Sequence, residues 1–204
     1  MMTVEDKRDI WFLPVFLPDK IEFILVLNNL KRGGEFVINH IDESIESNLI
    51  TVENFLIKNK MKYFIKSEKK EKRVICYYSK SQHILNKLVD VYCTSVKYTD
   101  EEKSFILGDI YSFPKKAVVK YSRMMKKNDG IWSDKLEKGS DFEKKYGYEN
   151  WAAYMTYIAR VGHVEDYSIA KKWSECLKNQ FPELDIEYQK VQKNWMMRIE
   201  ENNK

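Results

Sequence analysis

The chain has 204 residues, of which 44% are hydrophobic and 32% charged, with only 7 Gly and 4 Pro. That composition excludes a disordered chain and leaves little room for long flexible linkers, while the length suffices for one large core or two small ones. The formal charge of +4 is uneven: residues 1–57 carry 5 basic and 10 acidic side chains, residues 58–80 carry 9 and 2, and residues 114–127 carry 6 and none.

In chain order, DIWFLPVF at 9–16 is apolar and aromatic, and its Pro14 predicts an edge strand or a non-helical lead-in. PDKIEFILVLNNLKRGG predicts a helix, with Pro18 and Asp19 in its first turn, Lys31 and Arg32 near its C-terminal dipole and Gly33–Gly34 as its exit. EFVINHI at 35–41 predicts a strand, and SNLITVENFLIKNK at 47–60 a helix with Leu49, Val52, Phe55 and Leu56 at helical spacing. KYFIKSEKKEKRVICYYS at 62–79 is a hairpin pattern, two β-rich runs around a charged loop. SQHILNKLVDVYCTSV at 81–96 is a further helix with Ser81 as N-cap.

After Tyr98 the strand signal stops. Thr99 and Glu102 stand at capping-box spacing, and a helix from there runs towards Gly108. Helices are expected at 114–127, about 140–159, 164–181 and 182–201, the last opened by Pro182. Its stripe of Leu184, Tyr188, Val191, Trp195 and Ile199 matches a face of the preceding helix, Tyr167, Ala170, Trp173, Leu177 and Phe181, which predicts a packed helical hairpin. The fold class is therefore α+β: a mixed N-terminal half in the order β-α-β-α-β-β-α, then an all-helical half. A boundary near 97–99 gives domains 1–97 and 98–204, with one compact unit as the alternative.

The corner SFILGDIYSFPKKAVVKYSRMM, 104–125, opens the more two-faced of these helices. Ala117, Tyr121 and Met124, with Val118 and Met125, form an apolar stripe; Lys116, Lys120, Arg123 and Lys127 form a basic one opposite. A surface helix normally includes acids on such a face, and this one has none, so it reads either as a solvated face or as an anion-binding ridge. The hairpin tip KSEKKEKR, 66–73, supplies Lys69, Lys70, Lys72 and Arg73, either as a solvated loop or as a phosphate-contacting finger with Tyr63, Phe64, Tyr77 and Tyr78 as stacking faces.

ILGDIYSFPKKAVVKYSR resembles the Leu-Gly-x-x-x-Gly-[FY]-Pro-x-Cys-Cys-Val segment of an archaeal domain-of-unknown-function family, numbered four-eight-three. YIARVGHVEDYSIAKKWSECLKNQFPEL at 157–184 is similar to that family's later turn and helix. The resemblance covers about residues 99–190 and implies a fold neighbourhood. It departs from the family at the motif cysteines: Lys115, Lys116 and Ala117 follow Pro114, and Gly162, His163, Glu165 and Asp166 stand at the second segment. Any chemistry carried by those cysteines is not expected here.

No Walker-type phosphate loop, G-x-G-x-x-G or G-x-S-x-G occurs, so no cofactor is expected. His40, His83 and His163 stand alone, and Cys76, Cys93 and Cys176 include no close pair, which predicts free thiols and no metal. HVED at 163–166 is the best polar cluster: His163 as a general base oriented by Glu165 or Asp166, or simply acids favouring a helix N-terminus. No run reaches the roughly 18 apolar residues of a membrane helix, and the N-terminal MMTVEDKRD lacks an apolar signal region. The expectation is a cytoplasmic protein with no membrane partner that engages nucleic acid or another polyanion through its two basic islands. The alternatives are an enzyme with a cleft between the halves using His163, Glu165 and Asp166, and an oligomeric scaffold pairing through its C-terminal helix.

Overall fold

The computed structural model describes residues 4–39, 45–68, 70–127, 154 and 164–202. The protein is an α+β chain that divides into two units, Met1–Tyr98 with Ile110–Ser112, and Thr99–Asp109 with Phe113–Lys204.

In the first unit, β1 (Gly33–Asn39), β2 (Lys62–Glu68) and β3 (Arg73–Ser79) form an antiparallel sheet in the order β1-β3-β2. Register fixes which side chains share a face: Phe36 lies opposite Cys76, which lies opposite Ile65, while Tyr77 lies opposite Glu35 and Phe64. Helices α2 (Leu17–Leu27) and α3 (Ile45–Lys58) cover the Phe36 face, where the Phe23 ring lies 5.5 Å from Phe36, 4.8 Å from Phe55 and 5.3 Å from Tyr78. Helix α4 (Gln82–Cys93) covers the other face, with Tyr92 stacked on Tyr77 at 5.4 Å. Val74 through Ser79 are consequently buried on both sides, the expected state of a central strand between two helical layers. Lys66 Nζ donates to the Tyr92 carbonyl at 3.0 Å and so ties β2 to the end of α4.

Two expectations for this unit are corrected. The lead-in at 9–16 holds no strand: α1 runs over Val4–Phe12, because Pro14 lies beyond the helix end, where its missing N–H removes no helical bond. The next helix stops at Leu27, well short of Gly33–Gly34. Asn29 adopts φ 57°, its N–H donates to the Val26 carbonyl at 3.1 Å, and Leu30 N–H donates to the Leu25 carbonyl at 2.8 Å. That is a Schellman closure with Asn where Gly is usual. Lys60 (φ 55°) after α3 ends its helix in the same way. Gly33 and Gly34 are thereby left to open β1. Ser81 holds the N-cap position of α4 without a side-chain cap bond.

In the second unit, α5 (Asp100–Ile110) opens on the predicted capping box: Glu102 N–H donates to Thr99 Oγ1 at 3.2 Å, and Thr99 N–H to Glu102 Oε2 at 2.8 Å. The helix does not end at Gly108, which lies inside it. A Cβ there would sit 2.5 Å from Val118 Cγ2, so glycine is where α6 (Lys115–Lys127) packs against α5. Ser112 (φ 57°) makes the turn, with Phe113 N–H donating to the Gly108 carbonyl at 2.8 Å. Helices α7 (Val164–Gln180) and α8 (Pro182–Asn202) pack on one another. Tyr167, Ala170, Trp173, Leu177, Phe181, Leu184 and Tyr188 are buried as the stripes predict. Val191 departs from its stripe at 42% exposure, while Trp195 and Ile199 lie outside the residues whose side chains are described. The expected helix at about 140–159 also lies outside the described residues, apart from Tyr154. Tyr154 donates to Asp185, whose carboxylate also accepts two bonds from Gln189 Nε2 at 3.0 Å; this satisfies an acid that is only 5% exposed. Among the described residues no helix is long and apolar enough to cross a membrane.

Candidate functional site

The basic residues singled out in the sequence fall into two different situations. In the first island, four of the nine cations are already committed among the described residues. Arg73 Nε lies 2.6 Å from Glu68 Oε2 and its Nη2 2.6 Å from Glu71 Oε2; Lys66 Nζ lies 2.7 Å from Glu68 Oε1. These contacts hold Glu68 below the usual carboxylate range, the Lys66 bond first. Lys58 pairs with Asp9 at 2.6 Å, and Lys80 Nζ donates to the Leu27 carbonyl at 2.7 Å and to Asn29 Oδ1 at 2.9 Å, closing the end of α2. Lys70 and Lys72 are exposed at the hairpin tip, Lys72 with φ 49°, and Lys69 lies outside the described residues.

The second island is less encumbered. On α6, Ala117, Val118 and Ser122 are buried, which turns Lys116 and Arg123 outward to solvent and leaves Lys120 half-buried between them. Among the described residues one weak pairing touches this face: Lys116 Nζ lies 3.9 Å from Glu165 Oε1 at the start of α7, both groups being more than half exposed. At that distance and exposure such a pair is worth little. The ridge from Lys116 to Arg123 spans eight residues, about 10 Å of helix. Lys127 closes α6, with its side chain outside the described set.

His163 lies outside the described residues, as does the Asp166 side chain; Glu165 is exposed in the first turn of α7. His83 is exposed on α4, and His40 is outside the described residues. Among the described residues no group of three or more His, Cys, Asp or Glu is arranged to hold a metal. Cys76 is buried, and burial pushes its thiol up to about 12, the state of a packing residue and not of a nucleophile.

Sequence reasoning missed one polar cluster, in the first unit. Glu22 Oε1 accepts from Lys31 Nζ at 2.7 Å, and the Lys31 ammonium, 7% exposed, lies 5.1 Å from the centre of the Tyr111 ring. Tyr111 is hydrogen-bonded to Tyr92, and Arg32 N–H donates to the Ile110 carbonyl at 2.9 Å. These contacts seat Ile110–Ser112, the tip of the corner, in the first unit. Asp19 Oδ2 accepts from Val37 N–H at 3.0 Å and Glu22 Oε2 from Glu35 N–H at 3.3 Å. Burial first, and neighbouring carboxylates after it, push both Asp19 and Glu35 up to about 7. A signal for the cluster did exist: Asp19 and Glu22 stand three apart on a helix whose centre, Phe23–Val26, is wholly buried. Acids so close to a buried run must find donors, but only the fold says which.

No protein-family model, curated protein or solved structure matches this chain.

Proposed function

We propose that this protein binds polyanions, nucleic acid foremost, and that the outward face of α6 is the contact surface. One observation carries the reading: Lys116, Lys120 and Arg123 recur at four and three residues along a helix with no acid of its own, while Ala117 and Val118 are buried. Their spacing along the axis, about 6 and 4.5 Å at 1.5 Å per residue, exceeds the roughly 3.4 Å rise between successive phosphates of one strand, so each cation can engage a phosphate of its own. The hairpin contributes less to this reading than its charge count implies, because Arg73 and Lys66 are neutralised by Glu68 and Glu71. Lys70 and Lys72 are the exposed cations of the hairpin tip.

The test is a filter-binding titration against a duplex and a single-stranded oligonucleotide from low to moderate salt. Affinity falls with a log–log slope of about 0.9 per phosphate contacted on duplex, or about 0.7 on a single strand. Replacing Lys116, Lys120 and Arg123 together with Glu lowers the slope by about two to three and leaves the circular dichroism unchanged, since none of the three is buried. Absence of retention at the lowest salt rejects the proposal.

A further inference from the structure

β1 is an edge strand, and an edge strand has a row of backbone N–H groups with no strand to receive them. Here α2 supplies the receivers. Glu35 N–H and Val37 N–H, two residues apart, donate to Glu22 and Asp19, three residues apart on the helix. One helical turn therefore covers the open edge with carboxylates where another protein would place a strand. The arrangement gathers charge of one sign. The groups facing Asp19 are Glu22 from its own helix and Glu35 from β1; those facing Glu35 are Glu22, Arg73 from β3, Glu68 from β2 and Lys31 from the turn after α2. Tyr78 of β3, Tyr92 of α4 and Tyr111 of the corner feel the same acids. The Tyr78 hydroxyl, fully buried and without a hydrogen-bond partner among the described residues, points at Gly34 beside Glu22. Of the cations, Lys31 alone forms an ion pair with the α2 acids in the described residues.

We propose that this clasp is a proton-operated latch on the β1 edge, closed while Asp19 and Glu35 retain protons and loosened when both are ionised beside Glu22. Burial carries the upper end of the change to near neutrality, with Asp19 and Glu35 at about 7. The sign follows from proton linkage. Between the ordinary carboxyl range near 4 and about 7, the folded clasp holds protons that the unfolded chain has already released. Its contribution is therefore complete below that window and is lost as pH rises through it, by up to tenfold in the opening equilibrium per pH unit and per group.

The experiment is amide hydrogen exchange on the full chain between pH 5 and pH 8, corrected for intrinsic exchange. Protection of the Glu35 and Val37 amides is expected to fall at least tenfold across the range, and by more than that of β3. Asp19→Asn with Glu35→Gln keeps the acceptor oxygens and removes the titration, so protection becomes level with pH. Protection at Val37 that is constant or rises with pH in the wild type overturns the latch. Should the double variant not fold, carboxyl carbon NMR on the wild type decides: midpoints for Asp19 and Glu35 above 6 support it, and a midpoint of 6 or lower for either overturns it.

Discussion

Gly34→Ala probes the packing that holds the first unit together. A strand glycine replaced by alanine should normally stabilise by about 0.5–1 kcal/mol, because the unfolded chain loses freedom. Here the new Cβ would lie 2.6 Å from Tyr78 Oη, 2.8 Å from Tyr78 Cζ and 2.8 Å from Glu22 Cγ. Ordinary contact begins at 3.4 Å, so the Tyr78 ring must retreat by about 0.8 Å. It has nowhere to go: Phe36 lies 4.6 Å and Phe23 5.3 Å from it, centroid to centroid, and all three residues are buried. Overpacking of this kind costs about 1–3 kcal/mol, which outweighs the backbone gain and makes Gly34→Ala destabilising. Tyr78→Phe removes a buried hydroxyl that has no partner among the described residues, so alone it should be neutral or stabilising by up to about 1 kcal/mol. The double variant should recover part of the loss and not all of it, because the Cζ and Glu22 contacts persist. Urea titration of the four proteins, followed by circular dichroism, measures the cycle. A Gly34→Ala protein as stable as the wild type, or a cycle with no coupling, would refute the reasoning.

Two further outcomes follow from the packing. Lys60→Gly, at a position with φ 55° that closes α3, should raise stability by about 1 kcal/mol in the same titration, since a left-handed residue with a Cβ is strained there and the Met61-to-Leu56 bond is retained. Deleting residues 183–204 removes Leu184 and Tyr188 from the buried face of α7, and should redden the fluorescence of Trp173 and lower the melting temperature of a monomer. A dimer that becomes a stable, folded monomer on deletion would instead assign α8 to self-association.

What the sequence by itself determined is periodicity and chemistry that act over one or two turns. The α7–α8 pair was legible because Tyr167, Ala170, Trp173 and Leu177 face one way whatever lies opposite, and the hairpin because β-rich runs flank a polar loop. The Thr99–Glu102 box is a local exchange of two hydrogen bonds, complete within four residues. Helix ends were less legible, because Asn29, Lys60 and Ser112 adopt the left-handed conformation usually left to glycine, while Gly108 sits inside a helix. In the latter case the cause is Val118, a contact ten residues away. The candidate sites divide along the same line. The α6 ridge was visible, since cations at spacings of four and three share a face by helix geometry alone. That Arg73 and Lys66 are spent on Glu68 and Glu71 follows from hairpin register. Only tertiary structure could assemble Asp19, Glu22, Lys31, Glu35, Tyr78 and Tyr111, which come from a helix, a turn, two strands and a distant corner. Burial, which the sequence does not state, is what turns two of those acids into groups that titrate near neutrality.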